Sequence, residues 1–192
     1  MEVSGLFVYP IKSCGAVRLD TMPMCSKGPL YGRRDAREGG GLLNGGEDRE
    51  WMLVQPNGGF LTGRRFPKML QIGVSFTEDH SFLQVSIPGQ ERMLFLPLDP
   101  TKGPLVQSSI PLADEAPELP LEVKTVRIWS VQCAGEDLGE LAASFFSDYM
   151  ESPVRLVRSS SRVAPRKVSD APSEVKYTVS PQDEVSCKHK FL

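Results

Sequence analysis

Short apolar runs separated by turn residues constrain this chain most. Trp51-Met52-Leu53-Val54 is a continuous apolar run, followed by Pro56-Asn57-Gly58-Gly59 and then by Phe60-Leu61-Thr62. Asn-Gly accepts the positive φ of a tight hairpin turn, so this spacing predicts a hairpin. Ile72, Val74 and Phe76, and after them Leu83, Val85 and Ile87, alternate with smaller or polar residues on either side of the turn Glu78-Asp79-His80-Ser81. Period two over both arms predicts a second hairpin with one buried face. Val3 to Tyr9 reads as a strand stopped by Pro10, Ala16 to Leu19 as its successor, and Met93 to Leu96 as a strand stopped by Pro97. Proline ends each because its ring fixes φ and removes the amide donor. So many short strands favour a closed or nearly closed β-barrel, since closure removes exposed edges.

Other stretches interrupt this pattern. Ser26 to Glu47, with Gly39-Gly40-Gly41 and Gly45-Gly46, lacks an apolar period and is expected to be a mobile loop. The proline-rich run from Asp99 to Leu121 reads as a linker, which puts a domain boundary near 122. Val123, Val126 and Ile128 lead as a strand into Trp129, and one amphipathic helix is predicted over 136–150. Its apolar positions Leu138, Leu141, Ala142, Phe145, Phe146 and Tyr149 recur at three- and four-residue spacing. Glu136 and Asp137 suit the positive end of that helix's dipole, and Pro153 blocks its continuation. Val154 to Val157 is a further strand, and from about 159 the chain turns polar and serine-rich. The expected class is mostly β (α+β), with a barrel-like domain at 1–122 and an incomplete second unit at 123–192.

Charge narrows the function. With 22 basic and 24 acidic residues the net charge is −2, so no broad positive field exists to grip a nucleic-acid backbone. No apolar stretch reaches the ~18 residues that would cross a bilayer. No targeting leader is visible either, which leaves cytoplasm and mitochondrion both open. Cys14, Cys25, Cys133 and Cys187 match no metal knuckle or redox pair, and a reducing compartment is the default, with room for one bridge. The only histidines, His80 and His189, offer little material for a zinc site or a histidine triad.

Three stretches in order carry a resemblance. Gly5 to Cys14 (Gly-Leu-Phe-Val-Tyr-Pro-Ile-Lys-Ser-Cys), Asp48 to Val54 (Asp-Arg-Glu-Trp-Met-Leu-Val) and Thr62 to Met69 resemble successive motifs of proteins with a MOSC N-terminal β-barrel. Val126 to Met150 resembles the entry to the MOSC domain that follows it. The members most similar to this pattern are molybdenum-cofactor enzymes of the mitochondrial amidoxime-reducing type. The resemblance implies that Lys12, Ser13 and Arg49 contact the cofactor's pterin and phosphate, with N-hydroxylated compounds as substrates and a haem or flavin partner as electron donor. It also implies a metal-ligating cysteine beyond the matched region, so a chain ending at Leu192 is expected to be a truncated form that is not catalytically competent alone. A non-catalytic β-barrel binding module is the alternative, and MOSC-type sulfur transfer the third choice.

The residue types agree with phosphate recognition. A lysine point charge, a hydroxyl and an arginine fork suit a dianion, each charge-assisted hydrogen bond contributing about 1.5–3 kcal/mol. Lys12 and Ser13 follow the bend at Pro10, and Arg49 precedes a buried-looking strand. Outside the family pattern the same residues would read as a solvated turn and a surface charge pair. Arg64 and Arg65 either add positive potential or solubilise a strand end. Ser180, in Tyr177 to Pro181, is the candidate for a family segment that brings a hydroxyl to the cofactor. Cys187 reads as an ordinary thiol rather than a metal ligand, and Cys14 as a small buried side chain unless Lys12 lowers its pKa. No catalytic or metal-ligating residue is assigned.

Overall fold

The computed structural model describes residues 3–25, 28–34, 42–99, 105–107, 121–129 and 131–159. Ser180, Cys187, His189 and the polar tail lie outside them. Thirteen strands run in chain order: β1 (Leu6–Val8), β2 (Val17–Leu19), β3 (Met24–Cys25), β4 (Gly28–Arg34), β5 (Leu42–Glu47), β6 (Trp51–Val54), β7 (Gly73–Phe76), β8 (Phe82–Ser86), β9 (Met93–Pro97), β10 (Leu105–Gln107), β11 (Val123–Ile128), β12 (Val131–Asp137) and β13 (Arg155–Ser159). One helix, α1 (Gly139–Met150), and a 3-10 turn, Pro67–Gln71, complete the described elements. The chain is mostly β, as the alternation of short runs requires.

Both predicted hairpins form. Val74 pairs with Val85 and Phe76 with Leu83, in the sheet β10-β9-β8-β7. After β6, the Asn57-Gly58 turn returns the chain so that Phe60 bridges Val54 and the Leu61 amide donates to the Leu53 carbonyl at 2.9 Å. A second sheet runs β11-β12-β13-β6. Its ends meet through that hairpin: Gly59 bridges Arg127 of β11, whose amide donates to the Gly58 carbonyl at 2.9 Å. The result is a small closed barrel, filled by Met52, Val54, Val126, Ile128 and Val157, with Phe60 and Cys133 packed against them.

The continuous apolar run of β6 now has its reason. Met52 and Val54 point into the small barrel, while Trp51 and Leu53 join the larger core with Leu83, Leu94, Leu96, Phe145, Phe146 and Leu156. A strand buried on both faces cannot alternate with polar residues. Each of these side chains contributes about 1.5–3 kcal/mol by leaving water. Strands from both sides of residue 122 share this sheet. Helix α1 buries Ala142, Phe145, Phe146 and Met150 in the larger core.

Three local expectations are corrected. The stretch 26–47 is not all loop, because β4 and β5 pair within it, with a register shift at Gly32/Arg33. A bulge adds one residue and breaks period two, which hid the strands from a periodicity argument. The stretch 99–121 contains β10, paired to β9, so it is not wholly linker. Finally, α1 begins at Gly139, and Glu136 and Asp137 are buried in β12 instead of heading the helix. Two neighbours hold Asp137 there: Arg155 donates from Nε at 2.6 Å and Lys124 Nζ lies at 2.7 Å. No described helix is long and apolar enough to cross a membrane.

Candidate anion-binding site

Backbone pairing, not side-chain contact, brings the two halves of the predicted site together. The Lys12 amide donates to the Trp51 carbonyl at 2.8 Å, the Trp51 amide to the Pro10 carbonyl at 3.0 Å, and the Arg49 amide to the Tyr9 carbonyl at 2.9 Å. Ile11 bridges Trp51 in parallel. The Tyr9 amide donates to Asp48 Oδ1 at 2.7 Å. Pro10 cannot donate, so the strand β1 ends and the chain turns along the start of β6, where Lys12 and Ser13 arrive beside Arg49.

Two of the three residues adopt backbone that non-glycine residues rarely take: Ser13 has φ 66° and Arg49 φ 56°. Left-handed backbone at a residue with a Cβ costs on the order of 1–2 kcal/mol, and such strain concentrates at binding sites. Burial holds the Lys12 amine below the usual lysine range, and the Arg49 guanidinium lowers it further. The two cations therefore share a neighbourhood and repel. No described carboxylate bridges Lys12; its Nζ stands 5.5 Å from the centroid of the Phe60 ring. Arg49 keeps a loose pairing, Nε to Asp48 Oδ2 at 3.7 Å, with its side chain 48% exposed. The surface-pair reading of Asp48-Arg49 is thus present as a contact but leaves the Arg49 side chain about half exposed.

The third motif passes close by. A Cβ built on Gly63 would lie 3.6 Å from Ser13 Cβ and against Leu70, so the Thr62–Arg65 turn runs beside Ser13. Arg64 is exposed one residue beyond that contact. Arg65 rests over the Phe66 ring at 5.6 Å. Cys14 is buried, and desolvation pushes its thiol up to about 12, so the neighbouring lysine does not make it a reactive thiolate. His80 sits in its hairpin turn against Phe76, as its sequence position implied.

What anchors Arg49 is not legible in the sequence. The next residue, Glu50, accepts from Arg158 Nε at 2.5 Å, from the Glu47 amide at 3.1 Å and from the Tyr31 hydroxyl at 3.3 Å. Arg158 also donates to the Leu98 carbonyl at 2.9 Å and lies over Trp51, 5.2 Å from its centroid. Glu50 and Arg158 side chains are only 11% and 7% exposed. Burial raises the Glu50 carboxyl, and Arg158 opposes that shift. The signal in the sequence was a carboxylate directly before a wholly apolar strand; its partner, 108 positions away, carried none.

Chemically, two cations and the Ser13 hydroxyl are donors of the kind that suits a tetrahedral dianion such as a phosphate ester, whereas the turn amides of Lys12, Cys14 and Gly15 are already bonded to the Trp51, Ile11 and Ile72 carbonyls. A dianion between Lys12 and Arg49 would also relieve their repulsion.

The family model described as MOSC N-terminal beta barrel domain matches residues 1–153. Mitochondrial amidoxime reducing component 2 of Bos taurus is 27% identical over 157 residues, spanning 81% of this chain and 37% of that protein. Molybdenum cofactor sulfurase of Danio rerio is 28% identical, over 81% of this chain and 15% of that protein. Mitochondrial amidoxime-reducing component 1 of Danio rerio is 25% identical, over 96% of this chain and 46% of that protein. The chain thus spans less than half the length of these relatives.

Proposed function

This chain belongs to the MOSC N-terminal beta barrel family, and from that premise we propose that Lys12, Ser13 and Arg49 hold the phosphate end of a molybdenum cofactor in an oxidoreductase-type MOSC protein. The observation that carries the reading is the backbone pairing of residues 9–12 with 49–51, which brings the Lys12 and Arg49 segments together, with no described carboxylate on Lys12. When bound, the cofactor supplies the redox chemistry. The chain's part is to neutralise the phosphate with Lys12 and Arg49, to donate from Ser13, and to keep Arg49 in place through the buried Glu50–Arg158 pair. Arg64 adds positive potential at the edge, and Ser180 is kept as a candidate hydroxyl from outside the described residues.

Reduction of N-hydroxylated compounds and a mitochondrial location belong to the same proposal and rest on the names of the amidoxime-reducing relatives. An electron-transfer partner of haem or flavin type belongs to it on the family resemblance of the motifs alone. Residues from about 123 onward open the MOSC unit in this reading, although their strands already share a sheet with β6. A second reading, sulfur transfer, is favoured by the relatives named as molybdenum cofactor sulfurases. Both readings need the same cofactor contacts.

The test is pterin, phosphorus and molybdenum content of the chain purified from a host that makes the cofactor. Wild type is expected to carry all three, with Lys12→Ala and Arg49→Ala each losing most of the pterin. Empty wild-type protein, or equal content in the variants, overturns the proposal.

A further inference from the structure

Trp129 directly follows Ile128, which pairs with Val131, so it stands in the tight turn of the β11–β12 hairpin. Such turns take Asn, Asp or Gly because φ must be positive. This chain places an indole there instead, at φ 53°, and leaves it 72% exposed. Folding gains little from that choice: the left-handed backbone is strained and most of the large apolar ring stays in water. Its one aromatic neighbour among the described residues is Phe60, met edge-on at 5.1 Å and 70°. Phe60 in turn has Lys12 Nζ over it at 5.5 Å. An exposed indole, a ring at the mouth of the small barrel and the cation pair therefore lie in series. The two spacings put the indole centroid within about 11 Å of the lysine amine, a span that a phosphate ester bearing a planar base can bridge.

We infer that Trp129, with Phe60 at its edge, is the stacking platform for the planar heterocycle of the phosphate ester held at Lys12, Ser13 and Arg49. This inference rests on the proposed phosphate site. A flat ring loses its hydrated faces against an aromatic one, and the phosphate anchors it in register. The edge-on contact can cover no more than one indole face and leaves the other to receive it.

The experiment uses the full chain and guanosine 5′-monophosphate as probe, because it joins a phosphate to a planar ring with an amino-oxo-pyrimidine edge. Calorimetric titration compares this probe with inorganic phosphate and with guanosine. Wild type is expected to bind the nucleotide more tightly than either part. Trp129→Phe should stay within about threefold of wild type, and Trp129→Gly should bind about ten- to hundredfold more weakly with inorganic phosphate unchanged. Trp129→Gly should also melt higher, since glycine relieves the strained φ; a merely structural tryptophan would lower the melting temperature. Nucleotide binding by Trp129→Gly within twofold of wild type, while Lys12→Ala binds more weakly, overturns this inference and leaves the phosphate site standing. Phosphate and nucleotide binding unchanged in both Lys12→Ala and Arg49→Ala overturns the site itself.

Discussion

Closure of the small barrel rests on one glycine, which makes it testable. Gly58 sits at φ +81°, and a Cβ there would fall 2.6 Å from the Thr125 carbonyl oxygen of β11. Gly89 has almost the same backbone, φ +77°, but a Cβ there would meet nothing within 4 Å. Gly89→Ala therefore measures the conformational cost alone, on the order of 1–2 kcal/mol. Gly58→Ala carries that cost and must also push the hairpin off β11, breaking the hydrogen bond from the Arg127 amide to the Gly58 carbonyl. A lost backbone pair adds about 0.5–1.5 kcal/mol, and displaced packing of Phe60 adds to it. The excess of Gly58→Ala over Gly89→Ala should be about 1–2 kcal/mol, or about 2–8 °C in melting temperature for a chain of this size. Thermal unfolding followed by circular dichroism, with the two variants measured side by side, reads it directly. Equal losses in the two variants would refute the claim that this hairpin closes the barrel against β11.

Other perturbations follow from the same geometry. Glu50→Ala leaves Arg158 buried beside Trp51 without its carboxylate and should cost about 3–5 kcal/mol in urea denaturation, whereas replacing both partners by apolar residues should cost less; equal losses would contradict the pairing. Burial alone would raise the Asp137 carboxyl, but hydrogen bonds from Arg155, Lys124 and the Gly139 amide bring it below the ordinary range. Its stabilisation is therefore complete above about pH 4 and is lost as pH falls through the lower folded value, because the unfolded chain takes up the proton first. Asp137→Asn should flatten that acid limb of a stability–pH profile. Cys14, buried and with its thiol pushed up to about 12, should resist iodoacetamide in the native protein at pH 8 and react once unfolded, as peptide mass spectrometry would show; native labelling at the rate of a free thiol would be inconsistent with its burial.

What could be read from the residues alone was whatever depends on neighbours in sequence. Proline at 10 and 97, Asn57-Gly58, and period two around His80 act over a few residues, and they located strands and both hairpins. Lys12, Ser13 and Arg49 were legible as donor types in recognisable motifs. The strands β4 and β5 were not, since a bulge shifted their alternation and glycine gave no pattern to follow. Nor was the start of α1: both acidic residues that suit a helix N-terminus were drawn into β12, Asp137 by Arg155 and Lys124, and buried ion pairing outweighed the helix dipole. Tertiary structure decided the rest. Pairing of residues 9–12 with 49–51 set two cations side by side, the Glu50–Arg158 pair reached across 108 positions to hold one of them, and closure of β11 onto Gly58 brought Phe60 and Trp129 together beside Lys12. Those relations are made by backbone hydrogen bonds and buried charge between distant segments, and no local pattern of residue types encodes which distant partner a strand edge or a buried charge will find.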